Sequence, residues 1–327
     1  MKAGWCMNYF RKYDGFLYVV GTLTVCGLSG SGCRTMGQIG SQKHPTLALE
    51  IESSWRLDSQ STRFDASGIE RGPNGDLLVV RDSELAVYVV KFRENSGVAR
   101  LVRHARYAVD GSERDVGVGR FDIEGLAVDE KGDVFLCDEY ARRVLRFTPR
   151  GDLESIPLEL TGAEEFFSSI DANASFEGIA IGNGNLYLAN ERNRGRLLEI
   201  DLETGRLLST FEARTGTSAW PDPHYSGLDF HNGRLFALLR EEQAIVEIDP
   251  QDKAVTRVMR YHDIEFDRRH RYKTLVPFAG IMEGVLIEDG VVWLLTDNNG
   301  EARVADDTDA RPTLFRCVVR MESQGSN

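Results

Sequence analysis

Five positions share one local pattern: an oxygen-bearing side chain set immediately before a glycine. They are Ser67-Gly68, Glu124-Gly125, Glu177-Gly178, Ser226-Gly227 and Glu283-Gly284. The glycines are 57, 53, 49 and 57 residues apart, a near-regular period. Three carboxylates and two hydroxyls offer hard oxygen donors. Calcium takes about six to eight oxygens at roughly 2.3–2.6 Å in loose geometry, so one Ca2+ fits the set if the five positions converge. Magnesium asks for a tighter octahedron, and zinc would want His or Cys. Without a cation, carboxylates about 5–6 Å apart would repel by roughly 3 kcal/mol per pair at an effective dielectric near 20. The alternative is a clasp, in which each glutamate accepts N–H bonds from a neighbouring segment and one carries a proton.

A second polar set follows about 14 residues after the first: Arg81-Asp82, Asp138-Glu139, Asn190-Glu191-Arg192, Arg240-Glu241 and Asp297-Asn298. Arginine forks bind phosphate oxygens in pairs, which makes Arg81, Arg192 and Arg240 candidate substrate contacts. Asp138, Glu139 and Asp297 are candidate acids or bases for water attacking a cation-polarised phosphoryl group. The same neighbours are equally the stuff of ion pairs tying strand ends together, so both uses stand.

The elements that must position these groups are strands. Each glycine opens an alternating stretch, then a turn, then a second apolar stretch, as in "EGLAVDEKGDVFLCDE" (124–139) and "EGIAIGNGNLYLANE" (177–191). The turns carry residues that tolerate positive φ, such as Asn183-Gly184 and Asn232-Gly233. A third strand follows every pair, and a fourth follows all but the last. The missing strand is available at the other end of the chain, in "TLALEIESSWRL" (46–57). Four-stranded antiparallel units repeated at this period predict an all-β, five-bladed β-propeller whose last blade is closed by the N-terminal strand. In such a ring the first strands line a channel, so the five leading residues meet at one mouth. Residues 162–170 carry a short helical pattern between two units.

The chain has 327 residues, 42% hydrophobic and 28% charged, with net charge −12. That charge excludes a general nucleic-acid binder but leaves room for a small anionic substrate in a locally positive cleft. Residues 1–33 read as an export leader: Lys2, Arg11 and Lys12, then an apolar stretch too short for a comfortable span, then "SGSGC". Cys33 is the position a lipid would take; plain cleavage and an uncleaved anchor are the alternatives. A linker (34–45), one domain (46–321) and a tail (322–327) follow. The expected place is the bacterial cell envelope, periplasmic or lipid-anchored, with the membrane reached only through that leader or lipid. Cys137 and Cys317 fall in apolar strands and read as small buried hydrophobes. His224, His262 and His270 form no metal-spaced group, and no G-x-S-x-G elbow supports a serine esterase.

The stretches "DIEGLAVDEKGDVFLCDE" and "SFEGIAIGNGNLYLANE" resemble the phytase-like ("esterase-like activity of phytase") family and the related SdiA-regulated envelope propellers, over about residues 60–320. The order Ser, Glu, Glu, Ser, Glu is also similar to the axial ring of calcium-activated apyrases. That likeness implies a calcium role for Ser67, Glu124, Glu177, Ser226 and Glu283, and the family description implies phosphoester or ester hydrolysis. Two expectations follow. One is an exported, calcium-binding hydrolase of small phosphorylated or ester-linked molecules. The other is a non-catalytic envelope propeller, with calcium as a structural pin and loops that bind an envelope component.

Overall fold

The computed structural model describes residues 44–59, 63–109, 121–167, 175–191, 195–216, 222–274 and 280–321. Contacts divide the chain into two units, 1–41 and 42–327, and every described residue lies in the second. The leader with Cys33, most of the 34–45 linker and the 322–327 tail lie outside the described residues.

Strands dominate. The first run comprises β2 (Ala66–Arg71), β3 (Leu77–Arg81), β4 (Glu84–Phe92) and β5 (Val98–Ala108), each antiparallel to the next. The second comprises β6 (Ile123–Val128), β7 (Val134–Asp138), β8 (Arg143–Phe147) and β9 (Leu153–Ile156). The third comprises β10 (Phe176–Gly182), β11 (Asn185–Asn190), β12 (Arg196–Asp201) and β13 (Leu207–Phe211). In the fourth are β14 (Tyr225–His231), β15 (Arg234–Leu239), β16 (Ala244–Ile248) and β17 (Val255–Arg260). Finally β18 (Met282–Glu288), β19 (Val291–Thr296) and β20 (Thr313–Met321) are completed by β1 (Thr46–Asp58), antiparallel to β20. The N-terminal strand thus takes the place its sequence offered.

Five separate sheets are the simple expectation, and the sheet pattern departs from it. The second and third runs stand as separate four-stranded sheets, while the other strands join into one mixed sheet of twelve. The cause is β1. Its 13 residues outrun β20, and a bulge between Ile51 and Ser53 bends it. Its two ends therefore pair in parallel with neighbours, Thr46–Ala48 with β17 and Arg56–Asp58 with β5.

The core falls into five clusters, each shared by two successive runs. Leu78 and Val80 pack with Leu126 and Leu136; Phe135 with Ile179; Tyr187 with Leu228; Leu238 with Val285. The fifth cluster joins last run to first, Leu286 and Trp293 packing with Ile69 and Val79. Burying each such side chain is worth about 1.5–3 kcal/mol. Cys137 and Cys317 are fully buried among these apolar groups, which push both thiols up, Cys317 to about 12.

Turn chemistry follows the sequence. Asn183 and Gly184 both adopt positive φ, 53° and 78°, and close β10 onto β11 with two residues. The helical pattern at 162–170 yields a single 3-10 turn, Glu164–Phe166, and residues 168–170 lie outside the described residues. A four-residue helix, α1 (His262–Glu265), follows β17. No helix among the described residues is long and apolar enough to cross a membrane.

Candidate functional site

The five leading residues are all bulges. In each run's first hairpin the ladder skips one residue: Ser67, Glu124, Glu177, Ser226 or Glu283. A bulged residue leaves the pairing and its side chain is re-aimed. The glycine after it allows close approach of the next run. A Cβ on Gly68 would sit 2.9 Å from Gly125 Cα, and one on Gly227 would sit 2.7 Å from the Glu283 carbonyl oxygen. Ser67, Glu124 and Glu283 line one cavity together with Gly68, Gly125, Gly178, Gly227 and Gly284. Its volume is about 10 Å³, room for about one water-sized probe.

A second fivefold feature frames this ring. The residue after each second strand donates its backbone N–H to the carbonyl two residues before the ring position. The pairs are Asp82 to Asp65, Glu139 to Asp122, Glu191 to Ser175, Arg240 to His224 and Asp297 to Ile281, at 2.7–3.3 Å. Strand ends from both sets therefore meet at the same end of the first strands. In the first two runs the member is Asp82 or Glu139, one residue beyond Arg81 or Asp138, because connections 72–76 and 129–133 are longer than the two-residue turns elsewhere.

That one-residue step changes faces. Asp138 is fully buried and accepts from Arg143 Nε at 2.9 Å and from the Ala141 N–H at 3.3 Å. Arg81 lies over the Phe64 ring, 5.2 Å from its centroid. Glu139 instead faces Asp122 and Glu124: one carboxylate oxygen from each lies within 4.8 Å of the others. Oxygens on opposite sides of one Ca2+ are separated by about the same distance, so this all-carboxylate corner fits a hard divalent cation. Of the five ring residues, only Glu124 belongs to this close triad. Asp122 was missed in the sequence, although "FDIEG" repeats the "FDASG" pattern and places an acid two residues ahead of the ring.

Ser67, Ser226 and Glu283 are held by protein partners. Ser67 donates to the Ile123 carbonyl, and Ser226 donates to the Met282 carbonyl at 2.8 Å. Both acceptors immediately precede the ring glutamate of another run. A hydroxyl that spends its hydrogen this way keeps lone pairs for a cation. Arg240 is largely buried, with Nη1 donating to Glu283, Nη2 to Glu191, and Nε to Glu241 at 3.4 Å. Arg192 lies outside the described residues.

The field at the mouth is strongly negative. Burial, then Glu139 and Asp122, holds the Glu124 carboxyl well above the usual range. Burial, then Glu191, Glu139, Glu124 and Glu283, does the same for Glu177. Asp297 is raised by burial, then by Glu283, Asp65 and Asp82. Burial raises Glu283 to about 7 despite Arg240. One part of the mouth thus carries the Arg240 guanidinium, while Asp122, Glu124 and Glu139 bring three carboxylates together in another.

Comparisons with known proteins place this arrangement. Residues 65–300 match the model of a family described as "Phytase-like: Esterase-like activity of phytase". No curated protein matches the chain. Among solved structures, glutaminyl cyclase from Myxococcus xanthus is similar at TM-score 0.58 and 13% identity, covering 86% of this chain and 100% of that one. The PQQ-bound aldose sugar dehydrogenase from Streptomyces coelicolor gives TM-score 0.47 and 13% identity, over 84% and 99%. A gluconolactonase from Xanthomonas campestris gives 0.43 and 12%, over 78% and 72%. At such identity the first likeness concerns the fold alone.

Proposed function

The chain belongs to the phytase-like family, described as esterase-like activity of phytase, and on that premise we propose a five-bladed β-propeller that binds calcium and hydrolyses small phosphoester or ester substrates at its mouth. Five core clusters that pass from run to run and return to the first support the blade count. The large mixed sheet is compatible with it, since β1 makes only short parallel joins at its ends.

The observation that carries the chemistry is the Asp122–Glu124–Glu139 triad, with oxygens mutually within 4.8 Å. These residues would hold the cation, with Ser67, Glu177, Ser226 and Glu283 completing the oxygen-rich ring behind it. When bound, a divalent cation polarises a phosphoryl or carbonyl oxygen and lowers the pKa of water. The cavity in the ring is too small for a substrate, so the substrate would rest above it. Arg81, turned over the Phe64 ring by the register step, stands off the mouth in this reading. Asp297, whose carboxyl is pushed well above the usual range by burial and then by Glu283, Asp65 and Asp82, is suited to proton transfer. Arg240, engaged by Glu191 and Glu283, serves this reading as the internal counter-charge. The exported location read from residues 1–33 remains part of the proposal.

The test is hydrolysis of p-nitrophenyl phosphate and p-nitrophenyl acetate with calcium or with chelator, beside thermal melts of the same samples. Calcium-dependent turnover lost before stability supports the proposal. The Arg240 pairing and the serine clasps favour a second reading, a non-catalytic envelope propeller pinned by its cation. Under that reading chelation lowers Tm and no sample hydrolyses either ester.

A further inference from the structure

A second site lies on the outer strands, away from the acidic mouth. The turn between β4 and β5, residues 93–97, stands against the bulged part of β1, with the Arg56 N–H donating to the Gly97 carbonyl at 2.9 Å. Between them is a groove of about 510 Å³, and none of its lining residues belongs to the ring or the triad. That volume falls within the range of small-molecule sites, about 300–1,000 Å³.

Its floor is aromatic and braced. Trp55 meets Phe92 edge-on at 4.6 Å and stacks on Trp293 at 5.9 Å. Trp293 is buried, and its indole N–H donates to Glu288 at 2.6 Å. Arg71 and Arg316 each lie 5.9 Å from its ring centroid. Phe92 is 44% exposed, an unusual position for a phenyl ring. The walls are short polar groups (Ser53, Ser54, Asn95 and Ser96) with one cation, Arg93, and one anion, Glu94.

This combination selects a ligand chemistry. Rigid rings offer a surface for flat apolar faces at low entropic cost. Hydroxyls, an amide and one balanced charge pair suit many neutral hydroxyl groups. A phosphate or carboxylate ligand would want unopposed cations, and the groove has none in excess. A pyranose ring has both properties, with C–H faces above and below and hydroxyls around the edge. We infer that the groove between β1 and the β4–β5 turn binds a saccharide, with Trp55 and Phe92 as the stacking platform and Asn95, Arg93 and Glu94 as hydroxyl partners. This site is independent of the hydrolase reading.

Titration of the whole chain with hexamers of glucose and of N-acetylglucosamine, followed by tryptophan fluorescence, reads the site directly. Pull-down on insoluble polymers of the same two sugars distinguishes a polymer surface from a soluble chain. The expected result is a saturable change with at least one sugar, weakened about tenfold in Phe92→Ala and several-fold in Asn95→Gly, which accepts the positive φ of 54° at that position, with Tm and oligomeric state unchanged. Phe92 is exposed enough that the variant should fold. The inference is overturned if neither sugar, in either form, binds, if binding survives Phe92→Ala at full strength, or if Phe92→Ala instead dissociates a dimer in sedimentation.

Discussion

Arg240, just past the end of β15, reaches Glu283, the ring carboxylate at the start of β18, and donates to Glu191 with its other terminal nitrogen. One guanidinium thus joins three runs. Burial opposes its charge, but Glu283, Glu191 and Glu241 overcome that and hold its pKa far up. Removing one partner of a buried pair leaves the other uncompensated, at about 3–5 kcal/mol. Arg240→Ala should lose stability of that order in urea titration, with part restored by calcium. A loss within about 0.5 kcal/mol, the range of ordinary surface changes, would show that the pair is not what holds these runs.

Ser67 and Ser226 make the same bond at two places, each to a carbonyl preceding a ring glutamate. Alanine leaves that buried acceptor unsatisfied, a cost of about 1–3 kcal/mol. Both single variants should show it in chemical melts taken without calcium. If they are stable without calcium but bind it less well, the hydroxyls act as ligands and not as clasps.

Gly68 is held by proximity. Its φ carries no strain, yet an added methyl would meet Gly125 Cα at 2.9 Å. Gly68→Ala should cost about 1–3 kcal/mol through forced backbone shift, whereas Gly290→Ala, where nothing stands within 4 Å but φ is +74°, strains only a surface turn. Comparable Tm values for Gly68→Ala and wild type would contradict the packed ring.

Two buried acids away from the triad predict a pH dependence. Burial raises Asp229, which accepts the Ile287 N–H at 2.7 Å, from 3.8 to about 6. Burial also raises Glu265, which accepts the Ile281 N–H at 3.0 Å, from 4.5 to about 8. Both bind protons more tightly folded than unfolded, so their contribution is full below about pH 4 and is lost as pH rises through about 6 and then about 8. With chelator present, Tm should fall between pH 5 and 8.5, and Asp229→Asn with Glu265→Gln should flatten the fall. A Tm that rises over that window in the same buffers would overturn the assignment.

The fold was legible where local chemistry forced it. Asn183-Gly184 demanded a tight turn, the apolar alternation supplied two faces, and the glycines marked each first strand. The site was legible only to within one residue. Arg81 and Asp138 share the 14-residue offset of Glu191, Arg240 and Asp297, but the longer turns at 72–76 and 129–133 shift the register by one. That step hands the mouth to Asp82 and Glu139. Asp65 and Asp122 escaped notice because they precede the strands, where alternation gives no signal. The reach of β1 to two neighbours depends on its length relative to β20, a property of three-dimensional packing and not of either segment.

Calcium titration by calorimetry on chelator-stripped protein tests the central claim most directly. One site is predicted, with affinity reduced by about tenfold or more, or 1.4 kcal/mol, in each of Glu124→Gln, Glu139→Gln and Asp122→Asn, and less in Asp138→Asn. Absence of binding heat in the wild type, or affinities unchanged across the three triad variants, would contradict it.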